Sequence, residues 1–195
     1  MSSLLAHVAA GASLYLCNED SSQRRSSVVV MLPVLLAILP DFDYFAIWFL
    51  GVRFEQRYTH SLFFCLAMSC LAWLMARRWC RSRNLILSFW LLLLASCSHL
   101  LLDLLVGRSL PLLWPFSVVE LCLPVAVLPG AAHTGLISYV FWRNLAVECC
   151  LLLPVCVALI ASVRRLSLRR YVPEIILVLT MWLGLLFCSS SLTTM

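Results

Sequence analysis

Residues 85–106 read LILSFWLLLLASCSHLLLDLLV, an apolar run of membrane-spanning length that holds one imidazole and one carboxylate, His99 and Asp103. A helix rises about 1.5 Å per residue, so about twenty such residues cross the roughly 30 Å hydrocarbon layer. An ionisable group inside that layer costs roughly 3 kcal/mol by insertion scales and is retained where it is paired or functional. His99 and Asp103 stand one helical turn apart and project from the same face. The run therefore predicts a transmembrane helix with polar partners on one side of it.

The remainder of the chain reads in the same way. Of 195 residues, 63% are hydrophobic and 12% charged, which leaves too few polar side chains to coat a soluble globule. Further apolar stretches run over Val28–Leu50, Ser61–Ala76, Leu136–Val163 and Val172–Cys188, with a shorter one over Leu4–Cys17. The fold class expected is all-α: a polytopic membrane helix bundle of about five or six apolar segments, one or two of them short or broken. No repeat, low-complexity linker or composition break divides residues 1–195, so a single integral membrane domain is expected. No basic residue precedes the Leu4–Cys17 stretch, unlike a cleavable signal peptide, so His7 is expected to stay in the mature protein. The ten cysteines include no CxxC pair, and most fall inside predicted spans, where they read as small apolar packers.

All fourteen basic residues are arginines, and ten of them fall in three clusters: Arg24–Arg25, Arg77 to Arg83, and Arg164 to Arg170. Short basic loops stay cytoplasmic, and placing all three clusters inside lets the five longer segments alternate without conflict. Depth then follows from helical rise. Asp41 lies roughly 20 Å above Val28, His99 roughly 21 Å above Leu85, Glu148 roughly 22 Å above Val163 and His60 roughly 25 Å above Arg77. His7 lies roughly 15 Å above Asn18 if the first segment runs inward. Separate segments thus bring imidazoles and carboxylates to one layer in the outer half of the membrane.

Two aspects of that layer point to metal chemistry. An imidazole nitrogen and a carboxylate oxygen one turn apart can both reach a zinc-like ion at about 2.0–2.2 Å, the alternative being a His–Asp hydrogen bond inside a bundle. In LPDFDYF, Leu39 to Phe45, Pro40 removes a backbone donor and is expected to break the helix beside a polar cavity faced by Asp41 and Asp43. One of the two acids could instead cap the following piece of helix. RYTHS, Arg57 to Ser61, adds His60 and a cation at the outer entrance of the next span.

LPDFDYF, RYTHSL, HLLLD and LWPFS occur in that order, with His7 upstream, over residues 1 to about 150. In this the chain resembles the bacterial YdjM-like family of inner-membrane proteins, described as metal-dependent hydrolases. Where that family often has a histidine before the Arg of its THS motif, this chain has Gln56. The order His, Asp, His, HxxxD is also similar to zinc-dependent phospholipase C and the related single-strand nucleases. By that resemblance His7, Asp41 or Asp43, His60, His99 and Asp103 would be ligands, with Asp103 able to bridge two ions. Only His133 and Glu148 follow downstream, so one or two divalent ions, zinc by ligand type, are expected rather than three.

The mechanism these resemblances imply is metal-assisted hydrolysis, with Asp43 or Glu148 as the base that accepts a proton from water. Arg57, Arg108 and Arg143 fall on the outer side and suit phosphate oxygens, while Trp114 and Phe116 mark the outer interface and a substrate entrance. A site in the outer leaflet of a bacterial inner membrane selects a lipidic phosphoester. The arginine clusters are flanking loops explained by sidedness, which excludes a nucleic-acid partner. Two rivals stand beside the hydrolase: a metal or proton transporter, and a non-catalytic membrane protein with a structural metal site.

Overall fold

The computed structural model describes residues 3–18, 27–43, 50–51, 57–79, 88–130, 138–165, 176–177 and 180–184. Among the described residues the regular structure is helical, apart from one isolated antiparallel bridge between Leu110 and Leu121. The main helices are α1 (Leu4–Asn18), α2 (Ser27–Ile38), α3 (Leu62–Trp79), α4 (Phe89–Leu105) and α5 (Tyr139–Val163). Two short 3-10 turns, Leu39–Phe42 and Tyr58–His60, stand between α2 and α3.

Local chemistry sets the ends that matter for the site. Pro40 has no N–H to donate, and the regular helix stops at Ile38 and tightens into the 3-10 turn that carries Asp41. The apolar stretch Val28–Leu50 is therefore not one straight helix, and residues 44–49 lie outside the described residues. At its C-terminal end α4 runs into Gly107, whose φ of +78° is a left-handed conformation that ends the helix. A Cβ at Gly107 would also approach Ala126 Cβ to 2.8 Å. α5 begins at Ser138, whose side-chain oxygen accepts the Val140 N–H at 3.2 Å.

Helix α4 is central, packing against α1, α2 and α3, while α5 packs on α1. One apolar cluster joins Tyr15, Leu36, Ala76, Leu91 and Leu92 from the first four helices. A second joins Ala6, Leu102, Leu128 and Leu151 nearer the other end of α4. The last described residues, 180–184, are helical and rest on α5, where the Trp182 indole donates to the Leu151 carbonyl at 2.7 Å.

The distribution of polarity is inverted relative to a water-soluble protein. His7, His60, His99, Asp103 and Glu148 are fully buried, whereas Trp90, Leu94 and Leu101 on α4 are more than half exposed. Among the described residues, Tyr139–Val163 is long and apolar enough to cross a membrane, and Leu4–Asn18, Met31–Phe42 and Phe89–Leu105 are apolar but shorter.

Candidate metal centre

The centre is built from the buried face of α4, where Leu92, Ser96, His99 and Asp103 follow one another at helical spacing. His99 Nδ1 lies 2.8 Å from the carbonyl oxygen of Ala37, near the end of α2. A carbonyl can only accept, so Nδ1 carries the hydrogen and Nε2 presents its lone pair inward. The close seating of α1 on α2 beside this contact depends on Gly11, where a Cβ would come within 2.9 Å of the Pro33 oxygen and 3.0 Å of Val34 Cα.

His60 arrives from the 3-10 turn and is oriented by a different device. The Thr59 hydroxyl donates to Asp43 Oδ2 at 3.2 Å, so its oxygen accepts the Nδ1–H of His60 at 3.0 Å. His60 Nε2 is thereby also a lone pair turned inward. The two Nε2 atoms face each other at 3.3 Å. Asp41 Oδ1 lies 3.5 Å from His60 Nε2 and 3.7 Å from His99 Nε2. Asp103 Oδ2 lies 3.6 Å and 4.0 Å from the same two atoms.

One ligand atom from each of Asp41, His60, His99 and Asp103 thus gathers within 4.8 Å of the others. With bonds of about 2.0–2.2 Å, tetrahedral ligands of one ion stand about 3.3–3.6 Å apart, so the contacts made by His60 have the right span. Asp41 Oδ1 is buried with no hydrogen-bond donor among the described residues, as a ligand oxygen awaiting a cation would be. The residues present therefore fit a divalent metal.

His7 belongs to the same assembly. Its ring stacks on His99 with centroids 3.9 Å apart, and its Nε2 lies 3.8 Å from both Asp41 Oδ2 and Asp103 Oδ1. Arg108 Nη1 donates to Asp103 Oδ2 at 3.2 Å, and Arg57 Nε lies 3.7 Å from Asp43 Oδ2. Both arginine side chains are four-fifths buried or more.

Other sequence-predicted residues are placed elsewhere. Asp43 does not join the gathered ligand atoms: it stands behind His60, holding Thr59 and Arg57. Glu148 turns both carboxylate oxygens to the main-chain N–H of Ser3, each at 3.0 Å. The Ser3 hydroxyl in turn accepts the Ala6 N–H at 3.2 Å, so Glu148 clasps the first turn of α1, one turn before His7. Arg143 donates from Nε and Nη2 to Asn144 Oδ1 at 3.2 and 3.0 Å, and Asn144 Nδ2 donates to the Gly130 carbonyl at 2.9 Å. Trp114 packs beside the entrance turn, its ring 4.8 Å from Tyr58 and 6.3 Å from Phe63. His133 lies outside the described residues.

Thr59, Ser3 and the Ala37 carbonyl carry orienting roles that sequence reasoning missed. Thr59 left a faint signal as a hydroxyl beside an imidazole, in a turn that also carries Arg57. A main-chain carbonyl leaves none.

Comparison with known proteins agrees with the membrane character of this assembly. Residues 1–188 match the model of the family described as YdjM inner membrane protein, a stretch that contains every residue of the centre. The chain is also similar to the inner membrane protein YbcI of Escherichia coli (strain K12), at 32% identity over 128 residues, covering 56% of this chain and 72% of that protein. No solved structure matches the chain, and the comparisons lend no support to the similarity with zinc-dependent phospholipase C. With the family match running from the first residue through all five helices, the chain belongs to the YdjM inner membrane protein family.

Proposed function

We propose that the protein is a multi-pass, membrane-embedded metal-dependent hydrolase that cleaves a phosphoester of a lipidic substrate. The observation that carries this reading is the meeting of His60 Nε2 and His99 Nε2 at 3.3 Å, both oriented as acceptors, with Asp41 Oδ1 and Asp103 Oδ2 converging on them. Facing lone pairs repel unless a cation lies between them, and a His/carboxylate set of this kind suits zinc. A divalent ion held there supplies Lewis acidity and makes water acidic near neutral pH.

The chain's own residues supply the rest. Arg57 and Arg108 flank the centre beside Asp43 and Asp103 and bring positive charge toward phosphate oxygens, whereas Arg143 turns to Asn144. Glu148 turns both oxygens to Ser3, whereas Asp43 uses Oδ2 for Thr59 and Arg57 and keeps Oδ1 without a hydrogen-bond donor among the described residues, so Asp43 is assigned as the carboxylate that accepts the proton. Asp41 is the most exposed of the gathered residues, at 12% of its side chain, so the entrance lies on its side, next to exposed Phe42 and Tyr58. Apolar walls at the mouth of a charged site favour a head group presented by a lipid over a free soluble anion. With the arginine clusters cytoplasmic, the centre opens toward the outer leaflet.

Purified protein in detergent micelles, supplied with zinc or manganese, would be offered phospholipids and polyprenyl phosphates while released phosphate and phosphorylated head groups are followed. Chelator-sensitive turnover is the expected result, with Arg57→Ala raising KM more than it lowers kcat. Full metal occupancy without cleavage of any lipid phosphoester would replace this reading with that of a structural metal site.

A further inference from the structure

Asp41 and Asp103 each divide their two carboxylate oxygens between different imidazoles. Asp41 Oδ1 and Asp103 Oδ2 lie 3.5 and 3.6 Å from His60 Nε2. The opposite oxygens, Asp41 Oδ2 and Asp103 Oδ1, each lie 3.8 Å from His7 Nε2. The split is symmetrical: one oxygen of each acid serves the His60 and His99 side, and the other serves the His7 side. A fully buried imidazole equidistant from oxygens of two separate segments repeats, on a smaller scale, the arrangement at His60 and His99.

The ring geometry agrees. His7 and His99 are stacked with centroids 3.9 Å apart and planes 18° from parallel. Near-parallel rings aim their nitrogens at points separated by about the stacking distance. Two-metal centres hold their ions roughly 3.5–4 Å apart, the same interval.

We propose that His7 Nε2, Asp41 Oδ2 and Asp103 Oδ1 hold a second divalent cation, joined to the first through both aspartates. This rests on the reading that Asp41, His60, His99 and Asp103 hold an ion. The two positions differ in kind. The first draws four protein ligands and admits water by expanding to a fifth, whereas the second draws three and keeps a position for a ligand from outside, as catalytic sites do. Two divalent cations against two aspartates, with Arg108 alongside at 3.2 Å, leave a net positive charge. The outside ligand is therefore an anion, and a phosphate oxygen of the substrate meets the His7 position. His7 thus changes from one more ligand of a single ion to the anchor of the substrate-facing one.

Chelator-stripped full-length protein would be titrated with manganese, with bound metal counted by elemental analysis and the ions examined by electron paramagnetic resonance. The wild type should bind two manganese ions per chain and give a spin-coupled spectrum. His7→Ala should bind one and give the six-line signal of an isolated ion. His7→Phe, which keeps a ring against His99, should behave as His7→Ala and guards against loss of fold in the smaller variant. One ion per chain in wild type and in both variants would overturn the second position and leave the first standing. Two ions retained in a folded His7 variant, or none retained there while the wild type binds one, would equally overturn it. No manganese on the wild type would remove the underlying metal reading itself.

Discussion

Asp103 and Glu148 are both fully buried carboxylates on apolar helices, yet they have opposite company. Asp103 on α4 is ringed by His7, His60, His99 and Arg108. Glu148 on α5 gathers a single main-chain amide with both of its oxygens. Burial of a carboxylate demands compensation, but either cationic chemistry or a local backbone donor can satisfy it. What separates the two is the direction each faces. Asp103 points between the packed helices toward the turn with Asp41, while Glu148 points at the start of α1, where helix geometry leaves N–H groups without intrahelical acceptors.

The sharpest way to break this contrast is to neutralise each acid in turn. Asp103→Asn should weaken metal binding by about 100-fold or more and abolish turnover, since groups bonded to the metal matter more than the outer contacts whose loss costs 10–100-fold. Glu148→Gln keeps an acceptor oxygen for Ser3 and should retain full metal content. Elemental analysis of the purified variants decides it, and metal loss from a folded Glu148→Gln would mean that the two acids do the same work.

Thr59→Val tests the shell behind the ligands. It removes the hydroxyl between Asp43 and His60, with their contacts at 3.2 and 3.0 Å, and should weaken metal binding by roughly 10-fold. Thr59→Ser should restore it, because only the hydroxyl matters. Equal affinity in all three proteins, measured by calorimetric titration, would show that His60 is oriented by packing alone.

Glu148→Ala leaves the Ser3 amide buried without that acceptor and should lower stability by about 1–3 kcal/mol, read from denaturation in detergent. The smallest effect belongs to Arg143→Ala. Its guanidinium is bound to Asn144, so metal content and KM should stay within about twofold of wild type. A large rise in KM would return Arg143 to the substrate path.

The sequence made the level of the site legible but not its circumference. Helical rise places His7, Asp41, His60, His99 and Glu148 at similar heights, and spacing alone sets His99 and Asp103 on one face. Rise says nothing about which way a residue on another helix points, so Glu148 could not be told from a ligand. Asp41 and Asp43 were equally ambiguous, because a 3-10 turn distributes neighbours differently from the α-helix that precedes it. Helix identity was legible from apolar length, and Pro40 announced the end of α2. The orienting contacts were not, since every residue has a main-chain carbonyl and that of Ala37 is selected only by how α2 meets α4.

The Glu148 clasp also bears on how the protein is made. Ser3 and its acceptor are 145 positions apart, so α1 emerges from the ribosome long before the residue that fixes its first turn. His7 follows that turn, on the helix against which α5 packs. The start of α1 is consequently a late product of biogenesis, fastened only after α5 has been made.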